Sequence, residues 1–272
     1  MSMTLSAGHA DFLQRFRRLG ELTASLAWRD IAARYRGANL GILWTILNPI
    51  LMLAVYGIAF GYVFKARWPG AETGTSFVEL LFIGIAVHGF VAECINRAPG
   101  IIASNPSFVK KVVFPLGVLP AVVTLAALFN FMTLLAVYAS YRLLMGDGWS
   151  FYNLQIAVVL IPLFLMALSG SYLLAFLGVY FRDLSQIMPT ISMAMLFLSS
   201  AIVPVSTLPQ SQQTWFRLNP LTFYIDESRN ALFWHRSVDW EGIGVRIAIW
   251  IMVLAICVWL FRRARKGFAD VI

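Results

Sequence analysis

Glu79, His88 and Glu93 fall inside one apolar stretch, and a charge in such a place is chemically conspicuous. Removing a carboxylate from water is expensive, so it either pairs with a neighbour or serves a polar path through apolar surroundings. On a helix Glu79 and Glu93 are fourteen residues apart and share a face, and Glu93 reaches Arg97 one turn on. One reading puts the two carboxylates near opposite membrane surfaces, paired with neighbours. The other makes them part of a functional polar site, with His88 at mid-span. Acid–base catalysis or metal binding needs such groups clustered at one depth, whereas these three lie along a single helix.

Two aromatic stripes recur at helical spacing, Tyr56, Phe60 and Phe64, and Tyr172, Phe176 and Tyr180. Aromatic faces bind the apolar C–H faces of sugars, and a tyrosine hydroxyl can reach sugar hydroxyls. Aromatics equally anchor helices at a membrane surface or pack them together, and both readings stand. No G-x-x-x-x-G-K-[ST] phosphate loop and no H-E-x-x-H zinc pattern occurs in the chain. Cys94 and Cys257 lack metal-ligand spacing and read as small buried hydrophobes.

The elements that must position these residues are membrane helices. Of 272 residues 60% are hydrophobic and 12% charged, where soluble domains average about 45–50% and about 25%. A soluble fold has nowhere to hide that much apolar surface. The net charge of +8 sits beside apolar runs, which suits anionic lipid headgroups rather than nucleic acid. A span needs about 20 apolar residues. Six runs qualify: Leu40–Phe64, Phe77–Ile95, Val112–Tyr141, Leu154–Tyr180, Ile187–Val203 and Val245–Phe261. The first apolar run is too long for a signal peptide, and the N-terminus is expected to be retained. Gly37-x-x-x-Gly41 and Gly57-x-x-x-Gly61 predict close helix packing around the first span. Asn48-Pro49 inside it predicts a kink.

With a cytoplasmic N-terminus, the inner segments carry Arg15, Arg17, Arg18, Arg29, Arg34, Arg36, Arg97, Lys110, Lys111, Arg182, Arg262, Arg263, Arg265 and Lys266. The outer segments carry only Lys65, Arg67, Arg142, Arg217, Arg229 and Arg236. That asymmetry satisfies the positive-inside rule and places both termini in the cytoplasm. Residues 11–29 set Phe12, Phe16, Leu19, Thr23 and Leu26 at helical spacing, predicting an amphipathic helix in the cytoplasmic interface. The segment 205–244 is too apolar for a free loop, with Trp215, Phe216, Leu218, Leu221, Phe223 and Tyr224 between Pro209, Pro220 and the pair Asp226–Glu227. Short helices dipping back into the membrane fit it.

Several blocks then resemble one family in order along nearly the whole chain. Trp28-Arg29-Asp30, Arg34-Tyr35-Arg36-Gly37, Leu40-Gly41, Trp44 and Leu47-Asn48-Pro49 resemble the opening of polysaccharide-exporting ABC permeases. Asn105-Pro106-Ser107-Phe108-Val109-Lys110-Lys111-Val112-Val113-Phe114-Pro115 resembles their loop between spans two and three, and Tyr180-Phe181-Arg182-Asp183-Leu184 that between spans four and five. Leu208-Pro209 with Leu218-Asn219-Pro220-Leu221 resembles the outer re-entrant region. Phe268-Ala269-Asp270-Val271 is similar to the tail of the O-antigen branch.

The resemblance implies an all-α membrane fold: an interface helix in residues 1–38, then one six-helix permease domain in 39–272 with re-entrant helices between spans five and six. It implies a homodimer in a bacterial plasma membrane, with two ATPase subunits that bind ATP and Mg, no cofactor in this chain, and a lipid-linked glycan such as O-antigen as substrate. On that implication Arg34, Tyr35, Arg36, Trp44 and both aromatic stripes border the substrate path, and Arg34 and Arg36 suit an anionic phosphate head. Arg29, Asp30, Asn105, Phe108, Lys110, Lys111, Arg182 and Asp183 couple to the ATPase. Pro209, Trp215, Asn219, Pro220 and Tyr224 close the outer mouth. Alternatives are a permease of the same fold exporting drugs or small lipids, told apart by pore width and lining, and a membrane-embedded lipid-modifying enzyme.

Overall fold

The computed structural model describes residues 2–68, 76–109, 114–146, 148 and 150–268. Every regular element among them is helical. Helix α1 spans Ser2–Arg34, longer than the stretch 11–29 expected. Phe12 and Phe16 lie outside the residues whose side chains are described. The helix buries Ala27 and Ile31 and packs Leu22 and Leu26 against Val118 and Val122.

The first span is one continuous run: a 3-10 turn at Gly41–Leu43, α2 at Trp44–Tyr56, and a π-helix at Gly57–Val63. The chain stays helical through Pro49 and changes winding only at Gly57. Helix α3 (Phe77–Arg97) is the central one, buried over two thirds of its most apolar window. Ser76 caps its start by accepting from the Glu79 backbone N–H. A short α4 (Pro106–Val109) follows, and then α5 (Val118–Leu144). This third long helix begins after Val112, because the Pro115–Gly117 segment forms a turn whose Pro115 carbonyl accepts from Val118. Lys110 and Lys111 lie outside the described residues, as do Asp270 and Val271.

Helix α6 (Phe151–Leu154) opens on a Ser150 capping box and leads into α7 (Ile156–Tyr180). Helix α8 (Leu184–Phe197) has 14 residues, about 21 Å at 1.5 Å per residue. Two short helices, α9 (Gln210–Leu218) and α10 (Pro220–Leu232), meet at Asn219, and α11 (Trp240–Ala264) closes the chain.

Five of these runs are long and apolar enough to cross a membrane: Gly41–Val63, Phe77–Arg97, Val118–Leu144, Phe151–Tyr180 and Trp240–Ala264. The Ile187–Val203 segment behaves differently. Its helix starts earlier, at Leu184, and stops at Phe197, with turns rather than helix up to Pro204. The central core joins α3, α5, α7 and α10 around Phe90, Phe131, Leu163 and Tyr224.

The close approaches are not where the glycine spacing suggested. Gly37 and Gly41 take positive φ in the turn after α1, and a side chain on either, or on Gly57, would meet nothing within 4 Å. Gly61 has only ordinary contact room beside Val78. The first span is largely bare, so those glycines serve turns and an open face. The tight crossings are Gly84, where a Cβ would come within 2.8 Å of Ala201, and Gly178, where one would collide with the Pro99 backbone.

Candidate functional site

The charged side chains sort themselves to the two ends of α3. At its Arg97 end, Asp30 and Arg34 on α1 meet Glu93 and Arg97 on α3. Arg97 bonds both Asp30 oxygens at 2.8 Å and Glu93 at 3.2 Å. Arg34 pairs with Glu93 and, at 3.3 Å, with Asp30. Asn130 of α5 donates to the free Glu93 oxygen at 2.8 Å. Burial works against the Arg34 charge, but Glu93 and Asp30 outweigh it, and its pKa is raised above the ordinary value. Four alternating charges, each about one-quarter exposed, thus tie the interface helix to the central helix. The i+4 contact read from sequence is real, and the larger network needed α1 to fold across it.

At the other end Glu79 accepts from Arg142 at 2.9 Å and from the Tyr138 hydroxyl at 3.2 Å. The two carboxylates are therefore paired near opposite ends of α3. Between them His88 Nε2 lies 2.9 Å from the Ser192 carbonyl of α8. Among the described residues no group of three or more possible metal ligands occurs. Both cysteines are free and buried.

Arg34 is committed to this ion network, whereas Arg36 lines an open groove of about 330 Å³ with Arg29, Asp30, Asn105 and Phe108. The Arg29 guanidinium lies 6.0 Å from the Phe108 ring, and Phe108 stacks on Phe114 at 4.3 Å. Asn105 donates to the Ile101 carbonyl. Four of the proposed coupling residues thus come together where α1 meets the loop after α3. Asp183 sits at the start of α8 and its carbonyl accepts from Gln186, beside Arg182 on the far side of Gly178. Tyr35 and Trp44 border a separate cleft of about 250 Å³ with Asn48, Pro49 and Asn130.

The two aromatic stripes end up at opposite ends of the bundle. Tyr56, Phe60 and Phe64 stand in a column with ring spacings of 6.1 and 5.8 Å, and Phe64 is open to the outside of the fold. Phe77 and Trp68 extend the column at 5.6 and 5.7 Å. A π-helix carries Phe60, and such windings recur at functional sites. In the second stripe Tyr172 donates to the Gly117 carbonyl and meets Phe261 edge-on, while Tyr180 touches Phe268 and stays exposed.

The α8–α10 region is held by side chains that serve backbone carbonyls. Asn219 donates to Met195 and Leu198 at 2.7 and 3.0 Å, satisfying carbonyls left open where α8 stops. Its own oxygen caps α10, which begins at Pro220. Tyr224 is fully buried and its hydroxyl accepts from Trp250, ten residues into α11. Pro209 starts α9, and Trp215 projects from it, exposed.

The residue that sequence reasoning missed is Arg229. Read as a loop charge, it is 3% exposed and donates to Leu80, Ser200 and Ala201 carbonyls at 2.6–3.0 Å. Its guanidinium also lies 4.4 Å from the Trp68 ring centre. The cue in sequence was its place in an apolar helical stretch, one turn beyond Ile225 and three residues after Asp226.

Comparison with known proteins bears on what this arrangement does. The model of the family described as ABC-2 type transporter matches residues 21–233. The O-antigen export system permease protein RfbA of Myxococcus xanthus is 28% identical over 251 residues, 92% of this chain and 94% of that relative. The polysialic acid transport protein KpsM of Escherichia coli is 25% identical over 213 residues, 76% and 80% of the two chains. The capsule polysaccharide export inner-membrane protein BexB of Haemophilus influenzae is 23% identical over 261 residues, 94% and 96%.

Proposed function

The chain belongs to the ABC-2 type transporter family, and from that premise we propose that it is the membrane subunit of an ATP-driven exporter of lipid-linked O-antigen or a similar cell-surface polysaccharide. The observation that carries this reading is the character of the relatives. Those matched over most of their length are named for export or transport of O-antigen, polysialic acid and capsule.

The geometry is consistent with that work. A homodimer would face its bare first spans toward one another, so that the column Tyr56, Phe60, Phe64 lines a path suited to sugar C–H faces. Tyr35, Trp44 and Arg36 would stand at its cytoplasmic mouth, where the free Arg36 suits a phosphate-linked carrier better than the ion-paired Arg34. Two ATPase subunits, each holding ATP and Mg, would dock on Arg29, Asn105 and Phe108 and on the Arg182–Asp183 turn.

In the membrane, α8 with the turns to Pro204 would make the sixth crossing in all, fifth in chain order. Its helix of about 21 Å is short of the roughly 30 Å hydrocarbon core. The Asn219 tip between α9 and α10 would then sit inside the outer half of the bilayer, covered by protein as buried backbone requires. Pro209, Trp215, Asn219, Pro220 and Tyr224 would close the outer mouth, and both termini would be cytoplasmic.

The test is ATP hydrolysis by the purified complex of this chain with its ATPase, with and without lipid-linked glycan from the same cells. A complex of two copies of each, whose hydrolysis changes with the glycan, supports the reading. A complex that ignores glycan and responds to small amphiphiles moves the function to drug or lipid export. Failure to bind an ATPase ends the proposal.

A further inference from the structure

A second set of arginines lies away from the ion network and from the groove holding Arg29 and Arg36. Arg262 lies in the last turn of α11 and Arg265 follows in a 3-10 turn. Both line a groove of about 440 Å³ between α1, the start of α5 and the end of α11. Its walls are mixed, with apolar side chains from Leu19 on α1, Val118 on α5, and Val258 and Phe261 on α11, and with Thr23 of α1 among them. Among the described residues neither arginine makes an ion pair or side-chain hydrogen bond. Both are exposed at the rim. The Tyr172 hydroxyl beneath them is already committed to the Gly117 carbonyl.

We propose that this groove is a binding site for an anionic phospholipid of the leaflet in which α1 lies, with Arg262 and Arg265 holding the phosphate and the apolar side chains taking the upper acyl chain. Three observations carry it together. The guanidiniums are uncompensated, and their planar donors match phosphate oxygens. Val258 and Phe261 lie on the span side of the two arginines along the chain, the order of chain and headgroup in a lipid. It lies where an amphipathic helix meets the charged end of a span, and basic pockets between helices at that level suit acidic headgroups. An occupant here would bridge α1 to α11 and so brace the interface helix. The site extends beyond the exporter reading and depends on it only for which leaflet supplies the lipid.

The experiment is native mass spectrometry of the complete permease–ATPase complex released from nanodiscs of equal phosphatidylglycerol and phosphatidylcholine. The wild type is expected to retain phosphatidylglycerol selectively. The double variant Arg262→Gln, Arg265→Gln should lose that retention by roughly 30-fold, the effect of two surface arginines on an acidic lipid. Arg263→Gln is the control, since Arg263 lies 5.7 Å from the Trp259 ring, apart from the groove, and should change nothing. An unaltered melting temperature in pure phosphatidylcholine discs shows that the double variant is folded. If it is not, the pair Arg262→Lys, Arg265→Lys takes its place and should keep most of the selectivity. Equal retention of both lipids by the wild type, or undiminished selectivity in the glutamine variant, overturns the site. So does displacement by equimolar polyprenyl pyrophosphate, which would make it a substrate site. Retention seen only after the ATPase is removed would make it a protein contact and overturns it as well. Because the readout is bound lipid, its failure is distinct from failure of the exporter reading, which glycan-dependent hydrolysis tests.

Discussion

Arg229 shows how a charge is kept inside an apolar body. Its guanidinium donates to three backbone carbonyls and lies over the Trp68 ring, while Asp226 stands 3.7 Å away. The carbonyls of Ser200 and Ala201 belong to turns that no helix ladder satisfies, so the arginine replaces missing backbone partners. Arg229→Ala should therefore cost roughly 3–5 kcal/mol and sharply lower the melting temperature of the purified protein. Arg229→Lys, which keeps the charge and loses the fork, should recover only part of it. The Asp30–Arg97 pair is a different case, about one-quarter exposed and set between α1 and α3. Neutralising Asp30 or Arg97 alone should loosen α1. A double-mutant cycle of Asp30→Asn and Arg97→Gln should show coupling of about 1–2 kcal/mol, and additive effects would mean the two do not act together. Glu93 with Arg97 was legible from their spacing. Asp30 and Arg34 were not, because they lie some sixty residues earlier and reach the site only through tertiary packing.

Helix crossings set the next level. Small residues decide how close two helices come, and within the single chain the tight contacts fall at other glycines than those of the sequence pattern. Gly57 faces open space, while Gly178 is pressed against the Pro99 backbone and Gly84 against Ala201. Gly178→Ala should lower the melting temperature by an amount reflecting about 1–3 kcal/mol of overpacking. Gly57→Ala should leave the monomer fold unaffected, and any loss of activity there would reveal a contact with a second copy. The end of α8 illustrates the same point for helix length. The helix stops at Phe197, where Ser199 bonds the Leu196 carbonyl, six residues before the apolar run ends at Val203. Asn219 and Arg229, both from later in the chain, serve carbonyls at and beyond that end.

At the scale of the whole molecule, α8 decides the number of crossings. Single cysteines at Asp183 and at Gln212, in a protein whose Cys94 and Cys257 are replaced by alanine, should label from opposite sides of the membrane, Asp183 from the cytoplasm. Labelling from the same side would reduce the crossings to five and put the termini on opposite faces. The sequence alone determined the all-helical membrane class, five of the spans to within about six residues at each end, and the family, because hydrophobic length and ordered motifs are local properties. It also determined that the two carboxylates of α3 would need partners, since a buried charge carries that demand wherever it sits. Only the tertiary structure decided which partners those were. It separated the two aromatic stripes, setting one beside Phe77 and Trp68 and the other beside Phe261 and Phe268, and it turned Arg229 from an outer-segment charge into a buried clasp. The physical reason is that helices form from neighbours along the chain. Pairings between helices depend on which faces meet, and a face is shared by residues scattered across the whole sequence.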